Sequence, residues 1–127
     1  MIVRTLEDVK ARGNYGEKPG VWTSSRYLVR DDGVGFTVTQ TTCTAGQVQE
    51  LEYKNHIEAN LIIDGEATLT DVGTGETYEL GPGSMYTLDK HDRHRLEAKT
   101  DMRIVCIFTP ALTGAETHDE DGSYPIL

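Results

Sequence analysis

Hydrophobic and polar residues alternate one by one along most of this chain, with the two-residue period that is typical of β-strands. The alternation is strict over residues 21–29, where it places Trp22 and Arg26 on the same face of a predicted strand. It returns over residues 93–98, where His94 lies on the apolar face. The pattern therefore predicts strands with one buried face, and two of these faces carry a charged or titratable side chain.

Turns that contain glycine divide the rest of the chain into short segments of the same kind. The turns at residues 64–65 and 73–75 predict two successive hairpins, and successive hairpins form an antiparallel sheet. Residues 11–20 contain Gly13, Gly16, Pro19 and Gly20, which predicts a loop. A polar turn and one helical turn are expected after the first strand. The further predicted strands are residues 2–4, 35–43, 47–53, 66–72, 76–80 and 102–108.

These short strands, with little helix between them, predict an all-β fold, either an antiparallel barrel or a double-sheet sandwich. The 127 residues form one predicted domain, because this length suffices for a single core and is short for two. Residues 111–127, the C-terminal tail, are acidic and lack periodicity. Composition alone predicts a disordered tail, and the alternative is a lid that becomes ordered over a bound ligand.

Composition and charge narrow the possible partners. The formal net charge of −9 opposes binding to nucleic acid or anionic membranes, because both need clustered Lys and Arg. No apolar run of about 18 residues is present, so no transmembrane helix is expected. Residues 1–4 do not resemble the start of a signal peptide, which predicts the cytoplasm as the compartment. Cys43 and Cys106 lack CxxC spacing, and we expect both to be buried, reduced thiols.

Two segments carry most of the residues that can do chemistry. In residues 53–66, Glu58 precedes Gly65 by seven positions, and in residues 81–96 a turn that ends at Gly83 leads to His94. These segments resemble, in part, the paired sequence motifs of the cupin superfamily. The resemblance implies a cupin-type antiparallel β-barrel or double-sheet jelly roll spanning residues 1–127. Two of the three His that usually bind the cupin metal are absent, because other residues stand just upstream of Glu58.

Glu58 and His94 both face the predicted interior. A buried carboxylate is costly unless it is paired or bound to a cation, so the motif spacing favours metal ligands over a solvent-exposed Glu58 and a His94 packed in the core. A third donor is needed, and the spacing leaves Tyr86 and His91 open. Tyr86 could meet the same interior across a hairpin, whereas His91 lies in a polar turn. Phenolate, carboxylate and imidazole together would suit iron.

Longer segments resemble the ectoine synthase family over nearly the whole chain. These are YKNH at residues 53–56 with EAN at 58–60, YTLDKHDRH at 86–94, KTDMR at 99–103 and HDEDGSYP at 118–125. The resemblance implies a hydro-lyase that closes N-γ-acetyl-L-2,4-diaminobutyrate into ectoine, a compatible solute of osmotic stress, with loss of water. It also implies that Fe(2+) is the cofactor and that Glu58, Tyr86 and His94 bind it.

The same resemblance implies roles for other residues. Tyr53 and His56 would join the three metal ligands as catalytic residues. The implied substrate contacts are Trp22, Arg26, Thr41, Tyr53, His56, Phe108, Glu116 and His118. Glu52 and Gln40 depart from the family pattern, in which an aromatic and an acidic residue are common at these positions. The departures concern the detail of the pocket and leave the implied ligands unchanged.

The residue types agree with this chemistry. A Lewis acid can polarise the amide oxygen while the α-amine of the substrate attacks, and departure of that oxygen as water needs a general acid and a general base. His56 is a natural proton carrier near neutral pH, although the sequence leaves open which group is acid and which is base. Arg26 is suited to gripping the substrate carboxylate, and its alternative is an exposed strand residue.

Two other functions are compatible with the cupin motifs. One is an Fe(II) cupin dioxygenase, which the two missing His disfavour. The other is a non-enzymatic cupin that binds or senses a small metabolite, for which function would tolerate Glu58→Ala. Fold analogy and the family resemblance predict a homodimer, with a small molecule as the other partner and with neither nucleic acid nor membrane.

Overall fold

Ten β-strands and one short α-helix make up the protein in a computed structural model that describes residues 1–127. The helix α1 spans Leu6–Ala11, and a 3-10 helix spans Arg30–Asp32. Neither helix is long enough to cross a lipid bilayer. The strands are β1 (Tyr15–Lys18), β2 (Trp22–Leu28), β3 (Thr37–Cys43), β4 (Val48–Leu51), β5 (Ile57–Asp64), β6 (Ala67–Asp71), β7 (Thr77–Leu80), β8 (Met85–Leu88), β9 (His94–Ala98) and β10 (Met102–Thr109).

The strands form two antiparallel sheets that pack face to face. The larger sheet has the order β1-β2-β3-β10-β5-β8, and the smaller has the order β4-β9-β6-β7. The core between them includes Ile62 and Ile104 from the larger sheet and Leu69 and Leu96 from the smaller one. The predicted all-β fold is therefore confirmed, and of the two predicted architectures the chain adopts the double-sheet, jelly-roll-like sandwich.

Alternation along the central strands gives the buried faces that the sequence predicts. In β5 the side chains of Glu58, Asn60 and Ile62 are buried, and the residues between them are more exposed. In β9 and β10 every second residue is buried, beginning with His94 and Met102. Because the strand period is two, one inward residue in each strand fixes the direction of all the others.

The first twenty residues differ from the prediction. Residues 2–4 form no strand. The helical turn expected after them is confirmed as α1, where the Thr5 side chain accepts from the Asp8 backbone N–H in a capping box. The predicted loop over residues 11–20 is also wrong, because β1 lies within it and pairs with β2. Gly16 is a strand residue there and packs beside the Trp22 ring, so glycine content alone gave the wrong assignment.

Of the two predicted hairpins, the second is confirmed and the first is wrong. β6 pairs with β7, but β5 and β6 belong to different sheets. Gly65 has a φ of 95° and is the point where the chain crosses between the sheets, and a Cβ there would clash with the carbonyl oxygen of Asp101. Tyr86 in β8 and His94 in β9 likewise come from opposite sheets and not from one hairpin.

The C-terminal tail is ordered, contrary to the expectation from its composition. Leu112 and Ser123 are buried, and the Lys54 backbone N–H donates to Ser123 Oγ at 3.0 Å. At Gly122 the tail lies against β4, where a Cβ would stand 2.8 Å from Leu51 Cδ2. Isolated anchors of this kind produce no periodicity, so the sequence pattern could not reveal them.

Both cysteines are free thiols, as expected. Cys106 is buried, whereas Cys43 is only partly buried, so the expected burial is confirmed for Cys106 alone.

Candidate active site

A cavity of about 220 Å³ lies between the two sheets, and the C-terminal tail forms part of its wall. It brings together residues that are far apart in the sequence and that the sequence analysis singled out, with His56 as the exception. The predicted site residues that line it are Trp22, Arg26, Thr41, Tyr53, Glu58, Tyr86, His94, Phe108, Glu116 and His118.

Three potential metal donors converge in this cavity from three strands. Glu58 and Tyr86 are diagonal neighbours on the paired strands β5 and β8, since Asn60 is directly opposite Tyr86. His94 comes from β9 in the other sheet, and its ring centroid lies 6.3 Å from that of Tyr86. His91, the other candidate for third donor, is exposed outside the cavity and donates from Nδ1 to the Tyr53 carbonyl at 2.8 Å.

Burial sets the protonation of these donors. It raises the pKa of Glu58 to about 8, although a hydrogen bond from Asn60 opposes this effect. Burial, and then the charge of Glu58, raise the pKa of Tyr86 well above its ordinary value. Burial lowers the pKa of His94, whose Nδ1 donates to the Asp92 carbonyl at 3.0 Å. The His94 ring is therefore neutral near pH 7, with the lone pair of Nε2 free to bind a ligand.

The donor set fits a divalent cation. No positive side chain offsets the burial of Glu58, and burial disfavours the charged forms of both Glu58 and Tyr86. A cation bound between them would stabilise those charged forms. No group of three or more His, Cys, Asp and Glu side chains is close enough to hold a metal, so the set is complete only when the phenol of Tyr86 is counted. The hydrogen bond at His94 Nδ1 is of the kind that orients metal-binding His.

A charged pair occupies another part of the cavity wall. The Arg26 guanidinium lies 3.7 Å from the Glu116 carboxylate, and its Nη2 donates to the Glu116 carbonyl at 2.9 Å. Burial acts to raise the pKa of Glu116, but hydrogen bonds from Thr113 and Gly114 outweigh it, and the net pKa lies below the ordinary value. Glu116 is thus a charged carboxylate near neutral pH, and Arg26 faces inward as predicted.

Aromatic rings from the core and the tail form the wall next to this pair. Tyr53 Oη lies 2.9 Å from His118 Nε2, within hydrogen-bond distance. Tyr124 stacks on His118 with centroids 4.3 Å apart and an interplanar angle of 13°, and its ring also contacts Phe108 at 5.6 Å. Burial lowers the pKa of His118 and raises that of Tyr53 well above the ordinary value.

Tyr124 and Asn60 line the cavity but were not among the predicted site residues. Tyr124 lies in a tail without periodicity, so only the HDEDGSYP segment pointed toward it. Asn60 lies two residues after Glu58 in the same strand, and the two-residue period that turns both side chains to one face was the available signal. His56 lies one layer behind the cavity, buried beside Phe108 and Tyr124 with ring centroids 6.2 and 6.3 Å away. Burial lowers its pKa, and its Nδ1 has no hydrogen-bond partner.

Two antiparallel sheets that enclose a cavity in a jelly-roll-like sandwich have the fold of the cupin class of proteins. An RmlC-like cupin from Shewanella frigidimarina has the same fold, with a TM-score of 0.64 at 15% identity, over 76% of this chain and 83% of that one. The family model described as ectoine synthase matches residues 1–127. The chain belongs to the ectoine synthase family.

Individual relatives agree with this assignment. The L-ectoine synthase of Saccharopolyspora erythraea is 48% identical over 100% of this chain and 93% of that protein. The L-ectoine synthase of Oceanobacillus iheyensis is also 48% identical, over 100% of this chain and 98% of that protein. The crystal structure of ectoine synthase from P. lautus has a TM-score of 0.85 at 46% identity, covering 100% of this chain and 91% of that one. The family favours an ectoine synthase over the dioxygenase and the metabolite-binding alternatives.

Proposed function

We propose that this protein closes N-γ-acetyl-L-2,4-diaminobutyrate into ectoine with loss of water, as an iron-dependent hydro-lyase. The family and its L-ectoine synthase relatives support this activity. The observation that carries the proposal is the convergence of Glu58, Tyr86 and His94 in one cavity that also holds the Arg26–Glu116 pair. Such a cavity offers one region for a metal and another for a small zwitterion.

The metal-binding region would be formed by the three donors. Fe(2+) held by Glu58, Tyr86 and His94 would supply a Lewis acid for the amide oxygen of the substrate. The protein's own contribution is to exclude water from these donors and to fix their positions. Glu58 and His94 are 6% and 3% exposed, and the carbonyl of Asp92 orients the His94 ring.

The Arg26–Glu116 pair would hold the charged end of the substrate. Arg26 can bind the substrate carboxylate through two parallel N–H donors, while Glu116 stays charged and can attract the amino group. Trp22 lies on the same strand face as Arg26 and lines the same cavity. Holding the substrate at both ends places its α-amine near its amide carbon, which lowers the entropic part of the activation barrier.

Ring closure also requires proton transfer. The α-amine forms a C–N bond to the amide carbon and loses two protons, and the amide oxygen gains two and leaves as water. Tyr53 and His118 are suited to this transfer because their hydrogen-bonded pair faces the cavity. His118 is neutral near pH 7 and can accept a proton, whereas the Tyr53 phenol is protonated near pH 7 and can act as the proton donor. His56, behind this wall, would act by supporting Phe108 and Tyr124.

The proposal is tested by incubating the purified protein with Fe(II) under anaerobic conditions together with the acetylated substrate. Mass spectrometry should detect a product lighter by one water. Glu58→Gln should abolish this product, and the matched control Glu97→Gln should not, because Glu97 is exposed on the outer face of β9. Full turnover by metal-free protein, or by Glu58→Gln, would contradict the proposal.

We also propose a homodimer that covers the outer face of the larger sheet. Apolar residues of β5, β8 and β10 are exposed there, and Leu61 is directly opposite Met85. Adjacent apolar residues on a sheet surface are typical of protein interfaces. Light scattering should show a dimer for the wild type and for Tyr78→Glu, on the other sheet, but a monomer for Leu61→Glu. A dimeric Leu61→Glu would place the interface elsewhere.

A further inference from the structure

We propose that Asn60 is a positioning residue that fixes the carboxylate of Glu58 for metal binding. Asn60 lies two residues after Glu58 in β5, on the same inner face, and only 2% of it is exposed. Its Nδ2 donates to Glu58 Oε1 at 2.9 Å, in a hydrogen bond between two buried side chains. The inference rests on the proposed metal site and adds a residue that is not itself a ligand.

A buried asparagine at this position needs an explanation. The neighbouring inward residues of the core are mostly apolar, and burying an amide is favourable only when it forms hydrogen bonds. Asn60 is directly opposite Tyr86 on β8 and Cys106 on β10, so it occupies the middle of three paired strands. The backbone on both sides is held by the pairing with β8 and β10, which fixes the position from which the amide reaches Glu58.

The contact leaves one oxygen of Glu58 available. Asn60 occupies Oε1, and no protein group donates to Oε2, although the side chain lines the cavity. A flexible carboxylate would lose conformational freedom when it binds a metal. The hydrogen bond has already restricted Glu58 in the folded protein. Partners of metal ligands that act in this way typically change metal affinity by about 10- to 100-fold.

The test compares metal binding by the wild type, Asn60→Leu and Asn60→Ala. Leu replaces the amide with an apolar group of similar size, and Ala removes it with less risk of a clash. Fe(II) affinity is measured anaerobically by competition with a chelating dye, and the visible spectrum of the Co(II)-loaded protein reports the ligand geometry. Thr37→Val is the matched control, because Thr37 is buried and hydrogen-bonded to Leu112 but does not line the cavity.

We expect the apparent dissociation constant for Fe(II) to rise about 10- to 100-fold in both Asn60 variants, with an altered Co(II) spectrum. Thr37→Val should lower the melting temperature and leave both metal readouts unchanged. If both Asn60 variants bind Fe(II) within twofold of the wild-type affinity and show an unchanged Co(II) spectrum, Asn60 is only a packing residue. That result would overturn the inference but not the metal site. A wild type that binds neither metal would overturn the metal site and the inference together.

Discussion

Tyr124 connects the C-terminal tail to the cavity wall, and replacing it with alanine should release the tail. Its ring centroid lies 5.2 Å from that of Tyr53, 5.6 Å from that of Phe108 and 6.3 Å from that of His56, all outside the tail. Within the tail the ring stacks on His118 with centroids 4.3 Å apart. The Arg26 guanidinium carbon lies 5.6 Å from the Tyr124 ring centroid. Tyr124 therefore contributes most of the aromatic contact between the tail and the body of the protein.

The magnitude follows from these contacts. Replacing a fully buried aromatic residue with alanine costs about 3–5 kcal/mol, and Tyr124 is partly buried, so we expect about 2–3 kcal/mol. Because the tail can detach before the sheets unfold, this free energy should appear as more frequent opening of the tail. A change of about 2–3 kcal/mol corresponds to roughly 30- to 150-fold more frequent opening.

Hydrogen exchange with mass spectrometry measures this opening directly. Peptides from residues 113–127 should lose protection in Tyr124→Ala, whereas peptides from β5 and β10 should keep theirs. Tyr124→Phe, which retains the stacked ring, should resemble the wild type. Tyr78→Ala is a second control, because Tyr78 is an exposed residue of β7. Unchanged protection of the tail in Tyr124→Ala would refute the argument that the aromatic contacts hold it.

Three further predictions concern the metal site and the framework. Fe(II) at about 100 times its dissociation constant should stabilise the wild type by about 2.7 kcal/mol, or about 10 °C in melting temperature, and Glu58→Gln should show no such shift; an equal shift in both would contradict the site. The hydrogen bond from Arg4 holds the pKa of Asp32 at about 2, below its ordinary value of 3.8. This pair should contribute about 1 kcal/mol to the free energy of unfolding, present above about pH 4 and lost as the pH falls toward 2. In an acid titration, the stability of Asp32→Asn should decline less over this range than that of the wild type. Gly65→Ala should lower the free energy of unfolding by about 3 kcal/mol or more, because a Cβ there would clash with a backbone oxygen. Gly35 has a φ of 84° but open space around it, so Gly35→Ala should lower the free energy of unfolding by only about 1 kcal/mol. Equal losses for the two variants in urea denaturation would contradict the role of the close contact at Gly65.

Local periodicity was sufficient to predict which side chains face inward. Glu58 and His94 were placed correctly because each lies in a strand whose alternation needs no knowledge of the partner strands. The alternation also predicted that Trp22 and Arg26 share one face, and both line the cavity. The part of the site that depends on strand direction was therefore accessible from the sequence.

Features that depend on contacts between distant segments were not accessible. Nothing in the local sequence distinguishes the crossing at Gly65 from a hairpin turn, because the contact that requires glycine is with Asp101. Tyr124 and the tail belong to the same category, since their anchors lie in β2, β4 and β10 and in the loop between β4 and β5. His56 was placed in the pocket by family resemblance, whereas a side chain just before a strand can point behind the wall as easily as into it.

The candidate donors also differ in which half of the molecule carries them. Glu58 and Tyr86 move with the larger sheet, whereas His94 moves with the smaller one. Their mutual separation consequently depends on the thickness of the hydrophobic layer, and a bound ion would clamp the two halves together. Trimming a core side chain such as Leu69, which packs between the sheets but is not itself a donor, should let the two sheets shift and weaken ion binding well before the chain loses its fold.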